Sequence, residues 1–321
     1  MSYSQNVVHT IWTRAFWSVR CEQVIFKLFG FFRTREQASP LGLKRTKWWG
    51  ATLFATTNAV DKPQKGHVLL VGSGPGDPDL LTIKAIKAIQ QADVVLVDWL
   101  VNREIVNLIP RHIEQRFVGK RAGLHSMKQE DINALMVSLA LSGKNVVRLK
   151  GGDPAVFGRT AEETSALDKA GINYAIIPGI TAASGASAYT GIPLTLRGKA
   201  SSVKLITAHL KNPQTEPNWV QLASALENET IVFYMGLARL SSIQTRLRLA
   251  GVGSDMPVAV VDQATTRHQQ SCIGNLSDIQ EKVQTAGFMG PSLIIVGEAV
   301  SNVSNISSEL LRQVSESAIK A

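Results

Sequence analysis

Between Val146 and Pro154 a strand-like run, Val-Val-Arg-Leu-Lys, passes directly into Gly-Gly-Asp-Pro. No other stretch constrains the fold as strongly. Val146, Val147 and Leu149 read as a buried strand, and Gly151-Gly152 ends it in a loop without side chains. Such a loop leaves backbone N–H and C=O groups free to touch a ligand, with Asp153 as a fixed acceptor beside them. In open α/β sheets, ligands sit beyond the carboxyl ends of the strands. The same residues also suit an ordinary tight turn, so the choice rests on the rest of the chain.

From Gly66 onward the pattern repeats. His67–Val71 is a short apolar strand that ends in Gly-Ser-Gly-Pro-Gly-Asp-Pro. A helix opening at Asp79–Thr82 follows, carrying Ile83, Ala85, Ile86, Ala88 and Ile89, and then a strand over 92–97 ends in Asp98. The spacing predicts a helix around 104–108, a strand over 115–118, an amphipathic helix over 129–141 and the strand at 146–149. A further strand over 174–177 enters Pro178-Gly179-Ile180-Thr181. Strands alternating with helices imply a parallel sheet with helices on its faces. A second α/β segment contains apolar runs near 202–206, 230–236, 257–261 and 292–298. The expected organisation is a leader over 1–65, α/β domains over 66–182 and 183–302, and a polar tail, helical or loose, over 303–321.

The formal charge of +9 invites a nucleic-acid reading, but residues 1–65 hold ten Lys/Arg against three Asp/Glu. That leaves 24 basic and 22 acidic residues from Gly66 onward, a near-neutral body that does not suggest nucleic-acid binding. The leader also holds four of the six tryptophans. Its apolar stretch over 24–32 is interrupted by Lys27 and falls short of the roughly 20 residues a membrane span needs. A disordered leader, a start placed too early, an organelle transit segment and a membrane-surface helix all remain open. Cys21 and Cys272 form neither a disulfide framework nor a metal spacing, which suits a reducing cytosol.

The glycine loop after the first strand tempts a dinucleotide-binding reading, but the spacing is Gly-x-Gly-x-Gly rather than G-x-G-x-x-G. Pro75 and Pro78 stiffen it, and Asp77 would set a carboxylate near any pyrophosphate. A rigid pocket wall fits better.

Together, VGSGPGDPDLLT (71–82), VGKRAG (118–123), QEDIN (129–133), VVRLKGGDP (146–154), FGR (157–159), PGITAASGASAYTGIPLT (178–195), HLK (209–211), VFYMGL (232–237) and SLIIVGE (292–298) resemble the tetrapyrrole methyltransferase superfamily. The resemblance is strongest to the branch that methylates uroporphyrinogen III at C-2 and C-7 to give precorrin-2, for siroheme, cobalamin or heme d1. It implies two α/β domains with S-adenosylmethionine folded in the trough between them, no metal, and a cytoplasmic homodimer. By resemblance, Pro75, Gly151, Gly152, Asp153, Val156, Thr181, Ala182, Met235 and backbone near Ala264 hold the cofactor. Asp98 matches the family's proton acceptor and Lys120 its donor, although an Asp at a strand end is by itself more often a helix cap. The substrate carries eight carboxylates, so Arg121, Arg148, Lys150, Arg159 and Arg197 are candidates for a basic rim. Some of these arginines also suit structural ion pairs.

The chain departs from the family pattern at Val97, Ala155, Thr160-Ala161, Leu196, Gly198, Ala208 and Ala264. Most of these flank the substrate rather than the cofactor. Methylation of a different tetrapyrrole such as precorrin-4, or cofactor binding without turnover, therefore stay as alternatives. Residues 1–65 are too few for the dehydrogenase–ferrochelatase module that some family members carry, so oxidation and metal insertion are expected of other proteins.

Overall fold

A computed structural model describes residues 64–119, 127–209 and 216–317. The described residues lie within one compact unit, Ala59–Ala321. The first sheet contains β1 Val68–Gly72, β2 Val94–Val97, β3 Glu114–Phe117, β4 Val146–Lys150 and β5 Tyr174–Ile177, in the order β3-β2-β4-β1-β5. All four pairings are parallel, with Val68 opposite both Val146 and Tyr174. The helices of this half are α1 Ile83–Gln90, α2 Arg103–Val106, α3 Gln129–Leu141 and α4 Thr160–Lys169.

The sheet is buried on both faces, which explains its near-continuous apolar strands. Val71, Val95, Val97, Val147 and Leu149 pack with α1 and α2 through Ala85, Ile89 and Ile105. Val68, Leu70, Val94, Leu96 and Val146 pack on the other side with Ile132, Met136 and Leu167 of α3 and α4. Successive strand residues face opposite sides, so Arg148 and Lys150 share the side of Val146 and point toward the α3–α4 layer. The chain leaves β1 toward β2, past β4, and leaves β4 toward β5, past β1. The loops after these two central strands thus diverge, making the crevice where ligands collect in open α/β sheets.

The second sheet contains β6 Ser202–Thr207, β7 Glu229–Tyr234, β8 Pro257–Asp262, β9 Gln270–Asn275 and β10 Ser292–Val296, in the order β6-β7-β10-β8-β9. Only β6 and β7 are parallel; the other pairings are antiparallel. Its helices are α5 Ala182–Thr190, α6 Trp219–Ala225, α7 Leu240–Leu249 and α8 Ile279–Ala286. Residues of α6, α7 and α8 cover one face. The other receives Ala183 and Ala186 of α5 against Val232, Ala259, Val261 and Ile295. Helix α5, which directly follows the first sheet's last strand, is therefore built into the second sheet's core. The tail forms α9, Ser308–Ser317. Among the described residues no helix is long and apolar enough to cross a membrane.

Candidate functional site

Three loops at the carboxyl ends of β1, β4 and β5 meet through glycine backbones. Gly74 and Gly152 exchange both hydrogen bonds, Gly152 N–H to Gly74 C=O at 2.7 Å and the reverse at 3.2 Å. Ser73 N–H donates to Lys150 C=O at 2.8 Å. A Cβ on Gly72 would lie 2.6 Å from Gly179 N, and one on Gly179 would lie 2.3 Å from Gly152 O. Side chains at these positions would force the loops apart. Asp153 completes the joint: its carboxylate accepts from Ala155 N–H at 2.8 Å and from Gly179 N–H at 3.0 Å.

A cavity of about 450 Å³ opens beside this joint, lined by Leu80, Asp153, Val156, Thr181, Ser184 and Tyr189 among others. This size and mixed lining suit a small ligand. Helix α5 forms one wall and lies tight on the β1 loop, since a Cβ on Gly185 would sit 2.5 Å from Pro75 Cγ. The loop after β8 closes in from the second sheet. Asp77 N–H donates to Thr265 Oγ1 at 3.0 Å, and a Cβ on Gly76 would lie 3.1 Å from Ala264 O. The Tyr189 hydroxyl donates to Asp77 at 2.6 Å, while Gln269 joins Tyr189 C=O to Thr265 N–H. Burial, reinforced by the Asp77 carboxylate, pushes the Tyr189 phenol well above its ordinary pKa. Asp77 also caps the short 3-10 turn Pro78–Leu80 through Asp79 N–H. Its carboxylate thus works in structure rather than toward a phosphate.

At the start of α5, Tyr234 from the end of β7 pairs with Thr181 Oγ1 at 2.7 Å and accepts from Ala183 N–H at 3.0 Å. Thr181 stands at the N-cap of α5 without capping it, and the Tyr234 phenol takes that acceptor role from the other sheet. Its ring lies 5.0 Å from that of Phe157, and burial pushes its phenol pKa up. Met235 follows, half exposed. Among the described residues, five non-glycine residues hold positive φ: Phe157, Arg159, Met235, Gln263 and Thr265. All five lie in loops after β4, β7 and β8, and backbone strain of this kind concentrates at ligand sites.

Asp98 lies at the carboxyl end of β2. Its Oδ1 accepts from Leu100 N–H at 3.3 Å and its Oδ2 from Arg148 Nη2 at 2.6 Å. The cap of α2 is Asn102, not Asp98. Gly151 meets this turn, since a Cβ there would lie 2.9 Å from Leu100 Cβ. The β4 loop thus meets the turn that follows Asp98 on one side and the cavity on the other.

Neither Lys150, which is buried on Glu163, nor Arg148 lies on a rim. Arg148 is 2% exposed, with Nε on Glu163 at 3.1 Å and Nη2 on Asp98. Local pattern hides this, because an alternating Val-Arg-Leu-Lys run suggests a solvated face, whereas this strand is central. Arg159 is exposed and held by Glu162 at 2.7 and 2.6 Å. Arg197 is exposed in the small hairpin between Leu196 and Ala200. Lys120 and Arg121 lie outside the described residues. The cofactor candidates Pro75, Gly152, Asp153, Val156, Thr181, Ala182 and Ala264 are brought together around the cavity and its joint. Gly151 sits between them and Asp98, and Met235 adjoins through Tyr234. Tyr189, Tyr234 and Glu163 were not singled out from sequence, although the first two stand inside the quoted motifs.

Residues 67–280 match the family described as Tetrapyrrole (Corrin/Porphyrin) Methylases. The siroheme synthases of Pseudoalteromonas atlantica and Acinetobacter baylyi are 50% and 51% identical over 237 residues, which is 74% of this chain and 51% of each relative. The chain thus spans about half the length of the curated relatives it matches. Among solved structures, a uroporphyrin-III C-methyltransferase from Thermus thermophilus complexed with S-adenyl homocysteine is 36% identical, with a TM-score of 0.63 over 74% of this chain and 99% of that one. A cobalt precorrin-4 methyltransferase is 30% identical, with a TM-score of 0.65 over 73% and 95% of the two chains.

Proposed function

This chain belongs to the tetrapyrrole (corrin/porphyrin) methylases, and from that premise we propose that it methylates uroporphyrinogen III at C-2 and C-7, giving precorrin-2 with S-adenosylmethionine as donor. The observation that carries this reading is the β4 loop, which joins a ligand-sized cavity to a carboxylate held at the end of β2. The donor fits that cavity: the volume suits it, the walls are mostly apolar, and glycine backbones leave room for close approach. The Asp153 oxygens each accept one backbone N–H, and a carboxylate oxygen can accept a second bond.

When bound, S-adenosylmethionine supplies an electrophilic methyl and departs as S-adenosylhomocysteine. Gly152, Asp153, Thr181, Ala182 and the Pro75 loop bind and orient the donor. Met235 and Phe157 narrow the open side and exclude water, so most of the rate comes from alignment. Each transfer to a pyrrole carbon leaves one proton to be lost from the macrocycle. Asp98, aimed by Arg148, accepts it, with Lys120 as the proposed donor partner. Arg159 and Arg197 stay as proposed contacts for the substrate's carboxylates, while Arg148 serves Asp98 instead. A homodimer remains the proposed assembly.

The test is anaerobic turnover of uroporphyrinogen III with S-adenosylmethionine, comparing the full chain with Asp98→Asn. A doubly methylated product, lost in the variant while donor binding by calorimetry persists, is expected. Unchanged turnover in Asp98→Asn would remove the proton-acceptor assignment. A later precorrin as acceptor is the second reading, supported by the likeness to the cobalt precorrin-4 enzyme. Donor binding with no methylation of uroporphyrinogen III would favour it.

A further inference from the structure

Asp98 ends a chain of four charges. Arg148 Nη2 reaches Asp98 at 2.6 Å, Arg148 Nε reaches Glu163 Oε1 at 3.1 Å, and Lys150 Nζ reaches Glu163 Oε2 at 2.7 Å. Glu163 is fully buried, and the side chains of Arg148 and Lys150 are 2% and 5% exposed, against 27% for Asp98. Only the Asp98 end of this chain reaches solvent.

We infer that Glu163, with Lys150, is a positioning residue for methyl transfer: acting through Arg148, it fixes the direction and the basicity of the Asp98 carboxylate. This rests on Asp98 as proton acceptor. The guanidinium is a rigid planar fork, so anchoring Nε on Glu163 sets where Nη2 points. Stability alone does not account for three buried charges, because well-packed apolar residues usually serve a core as well or better. The two acids and two bases balance. Without Glu163 the paired cations would hold Asp98 too firmly as carboxylate and leave it a weaker base. Without Lys150 the surplus negative charge would act the other way. Burial pushes the Lys150 pKa down while Glu163 pushes it up.

Other groups on the packed elements are few. From α3, Gln129 Nε2 donates to Glu163 Oε1 at 3.3 Å, and Lys128, Glu130 and Asp131 are exposed. At the start of α4, Arg159 and Glu162 pair with each other at the surface.

The experiment compares rate–pH profiles at saturating substrates for the full chain, Glu163→Gln, Lys150→Met and the double variant. Asp98→Asn is the reference, and donor affinity is measured by calorimetry. The acidic limb, where Asp98 takes up its proton, should move down by about one pH unit in Glu163→Gln and up by a similar amount in Lys150→Met. In the double variant it should return toward the parent, with KM little changed throughout. A merely structural role lowers kcat without opposite shifts. If Glu163→Gln does not fold, the limb must still lie higher in Lys150→Met than in the charge-balanced double variant. Limbs that stay put or move together, with donor binding intact and Asp98→Asn inactive, would overturn the inference alone. An active Asp98→Asn would instead overturn the acceptor assignment beneath it, and the inference with it.

Discussion

Gly185→Ala separates stability from ligand binding, because its two main effects on folding oppose each other. Gly185 lies within α5, where Ala is favoured over Gly by about 1 kcal/mol. The added methyl, however, would lie 2.5 Å from Pro75 Cγ, 3.0 Å from Thr265 Cγ2 and 3.1 Å from Pro75 Cβ. Carbon atoms settle at about 3.5–4.0 Å, so the proline ring or the helix must retreat by roughly 1 Å. Overpacking of this kind costs about 1–3 kcal/mol. The net change in folding free energy is thus between nothing and a loss of about 2 kcal/mol. Binding has no compensating gain: Gly185 lines the cavity, and the retreat displaces both of its walls. A fall in S-adenosylmethionine affinity of about tenfold, or about 1.4 kcal/mol, is expected. Urea denaturation without ligand and titration calorimetry with it measure the two quantities separately. A variant stabilised by the full helix gain and binding the donor as tightly as the parent would refute the close seating of α5 on the Pro75 loop.

Two further perturbations address the closure around the same cavity. Tyr234→Phe keeps the ring beside Phe157 but removes the acceptor for Ala183 N–H, a cap loss of about 1 kcal/mol. For a chain of this size the melting temperature should fall by about 2–4 °C, and an unchanged value would show that the phenol does not cap α5. Tyr189 has a raised pKa in the folded protein, so its contribution is complete below the unfolded phenol value of about 10 and is lost as pH climbs through the folded value. Tyr189→Phe should therefore show a shallower alkaline loss of stability than the parent in urea titrations. Parallel slopes would count against the buried phenol–Asp77 bond.

Much of the first sheet was legible because its strands are apolar and its loops are rich in glycine and proline. The α3 span Gln129–Leu141 and the β5 span Tyr174–Ile177 agree with their sequence reading at both ends. Helix α1 begins at Ile83 rather than at the acidic turn before it, because Pro78–Leu80 form a separate 3-10 turn and Thr82 supplies the cap. Helix α4 was not read, since its polar face dominates and Glu163 looks like one more surface acid. Strand β9, Gln270–Asn275, is a polar sheet edge whose pairing comes only from β8. The site was legible where motifs carry it, at Gly152, Asp153 and Thr181. The burial of Arg148 was not, because its partners come from β2 and α4, and no local pattern announces contacts between distant segments.

The exchange of hydrogen bonds between Gly74 and Gly152 also bears on how the chain reaches its native state. The two loops belong to β1 and β4, neighbours in space whose pairing sets Val68 against Val146. A nascent chain that has not yet passed Pro154 holds one half of the joint without the other. Contacts of such wide sequence separation form late and slowly, because loop closure must come before any gain from them. Donor binding is therefore a reporter of completed sheet assembly, appearing only once the long-range pairing exists. Through mass action, a ligand held at that joint stabilises the finished state and no partly assembled one.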